Sequence, residues 1–390
     1  MKTESTLIFT GDIGFDKYMD RKWEDPAFLS EEVLSFLRSG DHLIVNVEGP
    51  LSDREKVLRK NAVASLVHSM DREAASFLEH IGADVWNICN NHIMDAGPEG
   101  IADTIAEAER RNAKTLGAGM NLQEAMRPVI FPEAGGIGLL GVGYQRACRK
   151  ADEQTPGCFS WSDMDRIGRV IGEIKKECRW CIVVAHGGEE FTALPSPYTR
   201  DRYLEYLRMG ADLVVSHHPH VPMNYETLPG KAVFYSLGNF VFDTDYQRSQ
   251  FHTQQGIFLK LHFTESEFSF EPFGILIERK EGRIVRGDLP KIFADVQEEE
   301  YEKLLPLATK MFLENTKKQL RFLKPEEFAN ATEEDFVRNF YEPLRSGRVP
   351  GEVLDLQILY PIAQRETEKK WMESTLDPVK EFILEQMPSE

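Results

Sequence analysis

The sequence predicts an α/β protein with a helical C-terminal extension, and three observations carry that reading. Over about the first 260 of 390 residues, each short apolar run is followed by a helical pattern and a turn signal. A hydrophobic content of 42% is enough to bury a full core. The metal-capable side chains fall at the ends of the apolar runs, where ligands gather in an open α/β sheet.

The elements follow in order. "TLIF" (6–9) reads as the first strand, and residues 30–40 as a helix with Ser30 as N-cap and Gly40 as stop. "HLIVNVE" is the second strand, residues 71–82 a helix closed by Gly82, and "DVWNIC" the third strand. Pro98 opens a helix over 98–112, and "GIGLLGVG" (136–143) is a strand. The alternation then repeats, with a helix at 163–177, strand "CIVVAH", helix "RYLEYLRMG", and strands "DLVVSH" and "AVFYSLGN". "GIFLKLHF" and "FGILIERKEGRIVRG", the latter turning at Glu281 and Gly282, read as antiparallel strands. From about Val296 the chain turns acidic and helically periodic, so the expected division is one domain over residues 1–290 and a helical extension over 291–390.

Composition narrows the function. A net charge of −18, from 64 acidic against 46 basic residues, repels a phosphate backbone and excludes duplex nucleic acid as a partner. "MKTESTLIFTGD" has an apolar stretch shorter than a secretory core, and no segment reaches the ~20 apolar residues of a membrane span. The expected location is the cytoplasm. Five scattered cysteines (Cys89, Cys148, Cys158, Cys178, Cys181) read as reduced thiols, and the Cys178/Cys181 pair as thiols flanking a buried strand.

The chemistry lies at the strand ends. "TGDIG" carries Asp12, "NVEGP" carries Asn46 and Glu48, and "NICNNHIMDAG" carries Asn90, Asn91 and His92. Later come "VVAHGGEEF" with His186 and Glu190, "SHHPHV" with His217, His218 and His220, and "YSLGNFVFD" with Asn239. Each alone has an ordinary reading, as a turn cap or a hydrogen-bonded core residue. Together, one Asp, one Glu, one Asn and three His suit two divalent ions with a carboxylate between them; manganese, iron and zinc all fit the mixed shell. Alternation along an extended segment puts His218 and His220 on one side and leaves His217 on the other for packing or support. Two such ions acidify water and clamp phosphoryl oxygens, and a neighbouring His outside the shell can protonate the leaving alcohol. His92, beside Asn91, has that character.

At these residues the chain resembles the CapA-type capsule and poly-γ-glutamate biosynthesis proteins, which look like members of the calcineurin-like metallophosphoesterase superfamily. The stretches are "GDIG", "NVEGPLS", "NICNNHIMDAGPEGIADTI", "LGAGMNLQEAMRPVI", "VVAHGGEEF", "GADLVVSHHPHVP" and "VFYSLGNFVFD", spanning about residues 5–265. The resemblance implies a four-layer α/β/β/α sandwich, one metal held by Asp12, Glu48 and His220, another by Asn91, His186 and His218, with Glu48 bridging and His92 as acid. Asn46, Lys17, Glu190, His217 and Asn239 then serve as supporting or substrate residues. The chain departs from the pattern at Gly14, where many phosphoesterases have His, at Lys17, where relatives have Arg, and at Gly187, where Trp is typical. Typical members are also anchored by an N-terminal segment, and the expectation here is a chain without one. The expected function is hydrolysis of a phosphodiester or phosphomonoester on a small phosphorylated or anionic-polymer substrate. The alternative is a non-catalytic metal-containing accessory in polymer assembly or export. An amidohydrolase barrel also uses HxH, but there the pair follows the first strand.

Overall fold

In the computed structural model, which describes residues 2–52, 67–143, 149–305, 321, 326 and 329–336, the strands form two mixed sheets. The start of the chain lays down half of one of them, and strands after residue 238 complete it. Strands β1 (Glu4–Ile13), β2 (His42–Val47), β3 (Val85–Asn87) and β4 (Lys114–Leu116) run parallel, joined by helices α1 (Glu31–Leu37), α2 (Ala75–Ile81) and α3 (Pro98–Arg110). Short β5 (Ala118–Gly119), α4 (Leu122–Ala125) and β6 (Val129–Phe131) lead into β7 (Ile137–Gly143), β8 (Gly157–Cys158), α5 (Met164–Glu177), β9 (Trp180–His186), α6 (Pro197–Arg208) and β10 (Leu213–His217). Next come β11 (Tyr225–Leu228), β12 (Lys231–Phe234), β13 (Asn239–Val241), α7 (Asp245–Arg248), β14 (Gln255–Thr264), β15 (Phe268–Glu278) and β16 (Arg283–Arg286).

The first sheet has the order β16-β15-β14-β1-β2-β3-β4, with β13 also on β1; the second has the order β11-β12-β10-β9-β7-β6. Strand alternation assigns the layers. In β9, Trp180, Ile182 and Val184 enter a core shared with Leu7, Phe9, Ile44 and Leu259 of the first sheet, whereas Cys181, Val183 and Ala185 face α5 and α6. A third core sets α1, α2 and α3 on the outer face of the first sheet, through Val33, Phe77 and Ile101 among others. Helix, sheet, sheet, helix is the four-layer sandwich that the resemblance implies.

Local signals explain most boundaries. The Ser30 hydroxyl accepts from the Val33 N–H, and Pro98 opens α3. Gly40 does not stop α1, which ends at Leu37; Gly40 instead packs against Ile8, where an added Cβ would lie 2.9 Å from its Cγ1. "AVFYSLGN" is two strands in different sheets, because the chain crosses between layers at residues 235–238. Cys178 and Cys181 are free and buried, and burial pushes the Cys181 thiol up to about 12, so this pair is packing rather than reactive sulfur; Cys148 lies outside the described residues.

Of the expected extension, residues 298–305 are helical and stay with the domain. Tyr301 is buried and donates to the Pro195 carbonyl at 2.8 Å, and Leu304 and Leu305 are buried. Residues 333–336 are also helical, and most of the remaining extension lies outside the described residues. No helix among the described residues is long and apolar enough to cross a membrane.

Two glycines give opposite predictions. Gly82 closes α2 at φ +83°, and Gly172 sits inside α5, each with nothing within 4 Å of an added Cβ. Gly82→Ala is expected to cost about 1 kcal/mol through backbone strain, and Gly172→Ala to add about 1 kcal/mol through helix propensity. Urea unfolding of both variants checks the two signs.

Candidate metal centre

The carboxyl ends of β1, β2, β9 and β10 converge, and the loops after β3 and β10 close over them. Asp12, Glu48, Asn91, His186, His218 and His220 are all buried there. Ligand atoms of Glu48, His186 and His218 lie within 4.8 Å of one another, and so do those of Asp12, Glu48 and His220. Glu48 belongs to both groups. Its Oε1 is 3.6 Å from His220 Nε2 and 3.9 Å from His186 Nε2, too far for hydrogen bonds yet suited to donors sharing an ion at ~2.1 Å. Asn91 joins the second group through its Oδ1, 2.9 Å from His186 Nε2.

Polar neighbours orient these donors. Asn46 Nδ2 donates to Asp12 Oδ1 at 2.9 Å and sits 3.2 Å from His186 Nδ1, while its Oδ1 accepts from Asn87 at 2.8 Å. Asn239 Oδ1 is 3.0 Å from His220 Nδ1, which leaves Nε2 toward Glu48; Gln247 Oε1 and the Thr253 carbonyl hold the Asn239 amide, each at 2.9 Å. Asn90 pins the first loops by accepting from Gly49 N–H and His92 N–H and donating to the Val47 carbonyl.

Burial sets the electrostatics. Both Glu48 oxygens are buried with no hydrogen-bond partner among the described residues, and burial raises its carboxyl well above the usual range. Burial, then the neighbouring His218 imidazole, hold His186 well below its ordinary value, in the neutral form that binds metals. Burial opposes charge on His220 too, but Glu48 and then Asp12 push it up to about 10. The local field attracts a cation, and it is strongest where the two carboxylates meet. This donor set fits a pair of divalent ions.

The remaining expected residues separate. Alternation is not what places the histidines: β10 ends at His217, and His218 (φ 99°) and His220 (φ 59°) both adopt left-handed backbone in the turn that follows. His217 points away, its ring nitrogens 2.9 Å from the Thr10 carbonyl oxygen and 3.3 Å from that of Ala185, between the sheets. Glu190 Oε1 is 3.8 Å from His218 Nε2, whereas Lys17 is exposed on a turn at φ 49°. His92 lies at the edge of the cluster, its Nδ1 2.7 Å from Asp95 Oδ2.

Sequence reasoning missed the partners. Asp95, three residues after His92, was legible by spacing alone. Asn87, Gln247, Thr253 and Phe242 had no such signal, nor did His68, whose ring stands edge-on to His92 at 4.2 Å between centroids.

A family model described as "Bacterial capsule synthesis protein PGA_cap" matches residues 6–244. The chain belongs to this family. Among its relatives, it is 30% identical over 247 residues to "PGA biosynthesis protein CapA" of Bacillus subtilis (strain 168), covering 62% of this chain and 64% of that protein. It is 28% identical over 255 residues to "Capsule biosynthesis protein CapA" of Bacillus anthracis, covering 63% and 61%. The chain thus spans less than two thirds of the length of either relative. Among solved structures, a purple acid phosphatase from yellow lupin (Lupinus luteus) seeds superposes with TM-score 0.30 at 10% identity, covering 76% of this chain and 55% of that one.

Glu48→Gln separates the two sources of stability at this centre. Without ions the variant is expected to melt no lower than the wild type, since a buried charge is gone. Divalent ions at 1,000 times their dissociation constant add ~4 kcal/mol to a protein that binds them only when folded, and the variant is expected to lose most of that gain. Calorimetric melting with and without added ion checks both halves.

Proposed function

We propose that this PGA_cap protein is a phosphoester hydrolase holding two divalent ions bridged by Glu48. The observation that carries the reading is the isolation of Glu48, a fully buried carboxylate with no hydrogen bond among the described residues, shared by two ligand groups. Asp12 and His220 would complete one group, and Asn91, His186 and His218 the other. Manganese, iron and zinc each suit these donors. When bound, such a pair supplies an acidified water and positive charge for phosphoryl oxygens.

The chain's own contribution is proton delivery and orientation. His92 Nδ1 is engaged by Asp95, so the ring's far nitrogen is the one left for a leaving oxygen. Burial first, and His68 next, hold the His92 imidazole below its usual range, while Asp95 works in the opposite direction. Lys17 is assigned to substrate contact, its ammonium suiting a small phosphorylated compound or an anionic polymer end, and Glu190, 3.8 Å from His218 Nε2, to support of that imidazole.

A second reading is favoured by the relatives' names, which refer to capsule and PGA biosynthesis. In it the ions are structural, and the protein is an accessory in polymer assembly. His92 separates the two, because a structural centre needs ligands but no acid held beside them.

Protein purified without added metal is expected to carry two ions per chain by mass spectrometry and to hydrolyse a phosphodiester with an alkoxide leaving group. His92→Ala is expected to keep both ions and lose about 10² to 10⁴ in kcat. Undiminished turnover in the variant would remove the acid, and two ions with no turnover of any phosphoester tried would favour the accessory reading over the hydrolase.

A further inference from the structure

His68 sits where four strand-end loops meet. It is in the segment preceding α2, and its Nδ1 is 2.8 Å from Asp16 Oδ2, in the loop after β1. Its backbone N–H donates at 2.8 Å to Asp95 Oδ2, the same oxygen that lies 2.7 Å from His92 Nδ1 in the loop after β3. Its carbonyl packs under Gly49, in the loop after β2, where an added Cβ would lie 2.6 Å from that oxygen. Its ring is wedged between His92, 4.2 Å away and 79° inclined, and Phe242, 5.0 Å away after β13.

Packing alone does not require an imidazole here. A phenyl ring would fill the space between His92 and Phe242 without bringing Asp16, itself 7% exposed, into a buried polar pair. What the imidazole adds is a directional bond. Asp16 fixes the ring's rotation, the ring fixes one side of His92, and the His68 backbone fixes the carboxylate that fixes the other side. His92 is therefore held at its Nδ1 and against its ring face by two groups that both pass through residue 68.

We propose that His68, anchored by Asp16, is the positioning residue that aims His92 at the leaving oxygen. The proposal rests on His92 being the acid of the proposed hydrolysis. His68 acts through His92 and needs no contact with the ions or the reacting atoms. It follows that its removal is felt in proportion to how much the leaving group needs a proton.

The test compares two diesters on holoprotein as purified, one releasing p-nitrophenolate, which leaves without help, and one releasing an alkoxide, which does not. His68→Ala is expected to lower kcat at least about tenfold for the alkoxide diester while changing the nitrophenyl diester little. KM, melting temperature and metal content by mass spectrometry are expected to stay near wild type. His68→Asn, which keeps a donor toward Asp16, is expected to recover part of the loss, and Asp16→Asn to reproduce the selective defect. Equal losses on both diesters, or none on either, would overturn the proposal. A leaving-group profile that His92→Ala leaves flat would overturn it together with the acid assignment. A selective defect in His92→Ala with none in His68→Ala would overturn this inference alone.

Discussion

The burial of one carboxylate, Glu48, is the constraint around which the centre is arranged. A carboxylate removed from water costs several kcal/mol unless it is paired, hydrogen-bonded or bound to a cation. Glu48 is wholly buried and lacks hydrogen bonds among the described residues, with a second buried carboxylate, Asp12, close by. The surroundings answer that charge without quenching it. Two imidazoles, those of His186 and His220, approach Glu48 and Asp12 at 3.4 to 3.9 Å, distances that leave room for ions rather than closing hydrogen bonds. The amides nearby, Asn46 and Asn239, orient the other donors and leave Glu48 alone.

Bringing these donors together requires two sheets to meet at their carboxyl ends, and the backbone shows what that takes. The chain leaves the second sheet after β12 and joins the first as β13, so that Asn239 pairs with Asp12 in register. Side chains cannot fit at that crossing. A Cβ on Gly11 would lie 2.2 Å from the Gly238 carbonyl oxygen, and one on Gly256 would lie 1.9 Å from that of Asn239. The Asp12 N–H donates to that Gly238 carbonyl at 2.9 Å. The same close approach places Asn239 against His220, so fold topology sets which histidine nitrogen faces Glu48.

How much of this is legible in the sequence depends on range. Strand ends are local features, and Asp12, Glu48, Asn91, His186 and the pair His218 and His220 stand out because they follow apolar runs. The helix boundaries at Ser30, Gly82 and Pro98 are legible for the same reason, since caps act within one turn. "AVFYSLGN" misleads because an apolar run carries no mark of the sheet it joins, and a crossing between sheets keeps it apolar throughout. The histidine turn misleads differently. Positive φ at two non-glycine residues is a strained state that no propensity foretells, and it is held by tertiary contacts such as the Phe191 N–H to the Pro219 carbonyl. His68 is silent in sequence because its partners, Asp16 and Asp95, lie 52 and 27 positions away.

Gly14 and Phe242 are two sides of one exchange. An added Cβ at position 14 would lie 2.5 Å from the Phe242 ring, so no side chain fits there, and a ligand from that position is excluded. The ring that excludes it packs 4.7 Å from His220 and 5.0 Å from His68, stiffening a ligand and a neighbour of the acid at once. Under the proposed assignment the group of Asp12, Glu48 and His220 then has three protein donors, while the group with Asn91, His186 and His218 has four. Structural metal sites close their shells, and catalytic ones keep a position open. That assignment would therefore leave the fewer protein donors on the side of the centre that Phe242 walls.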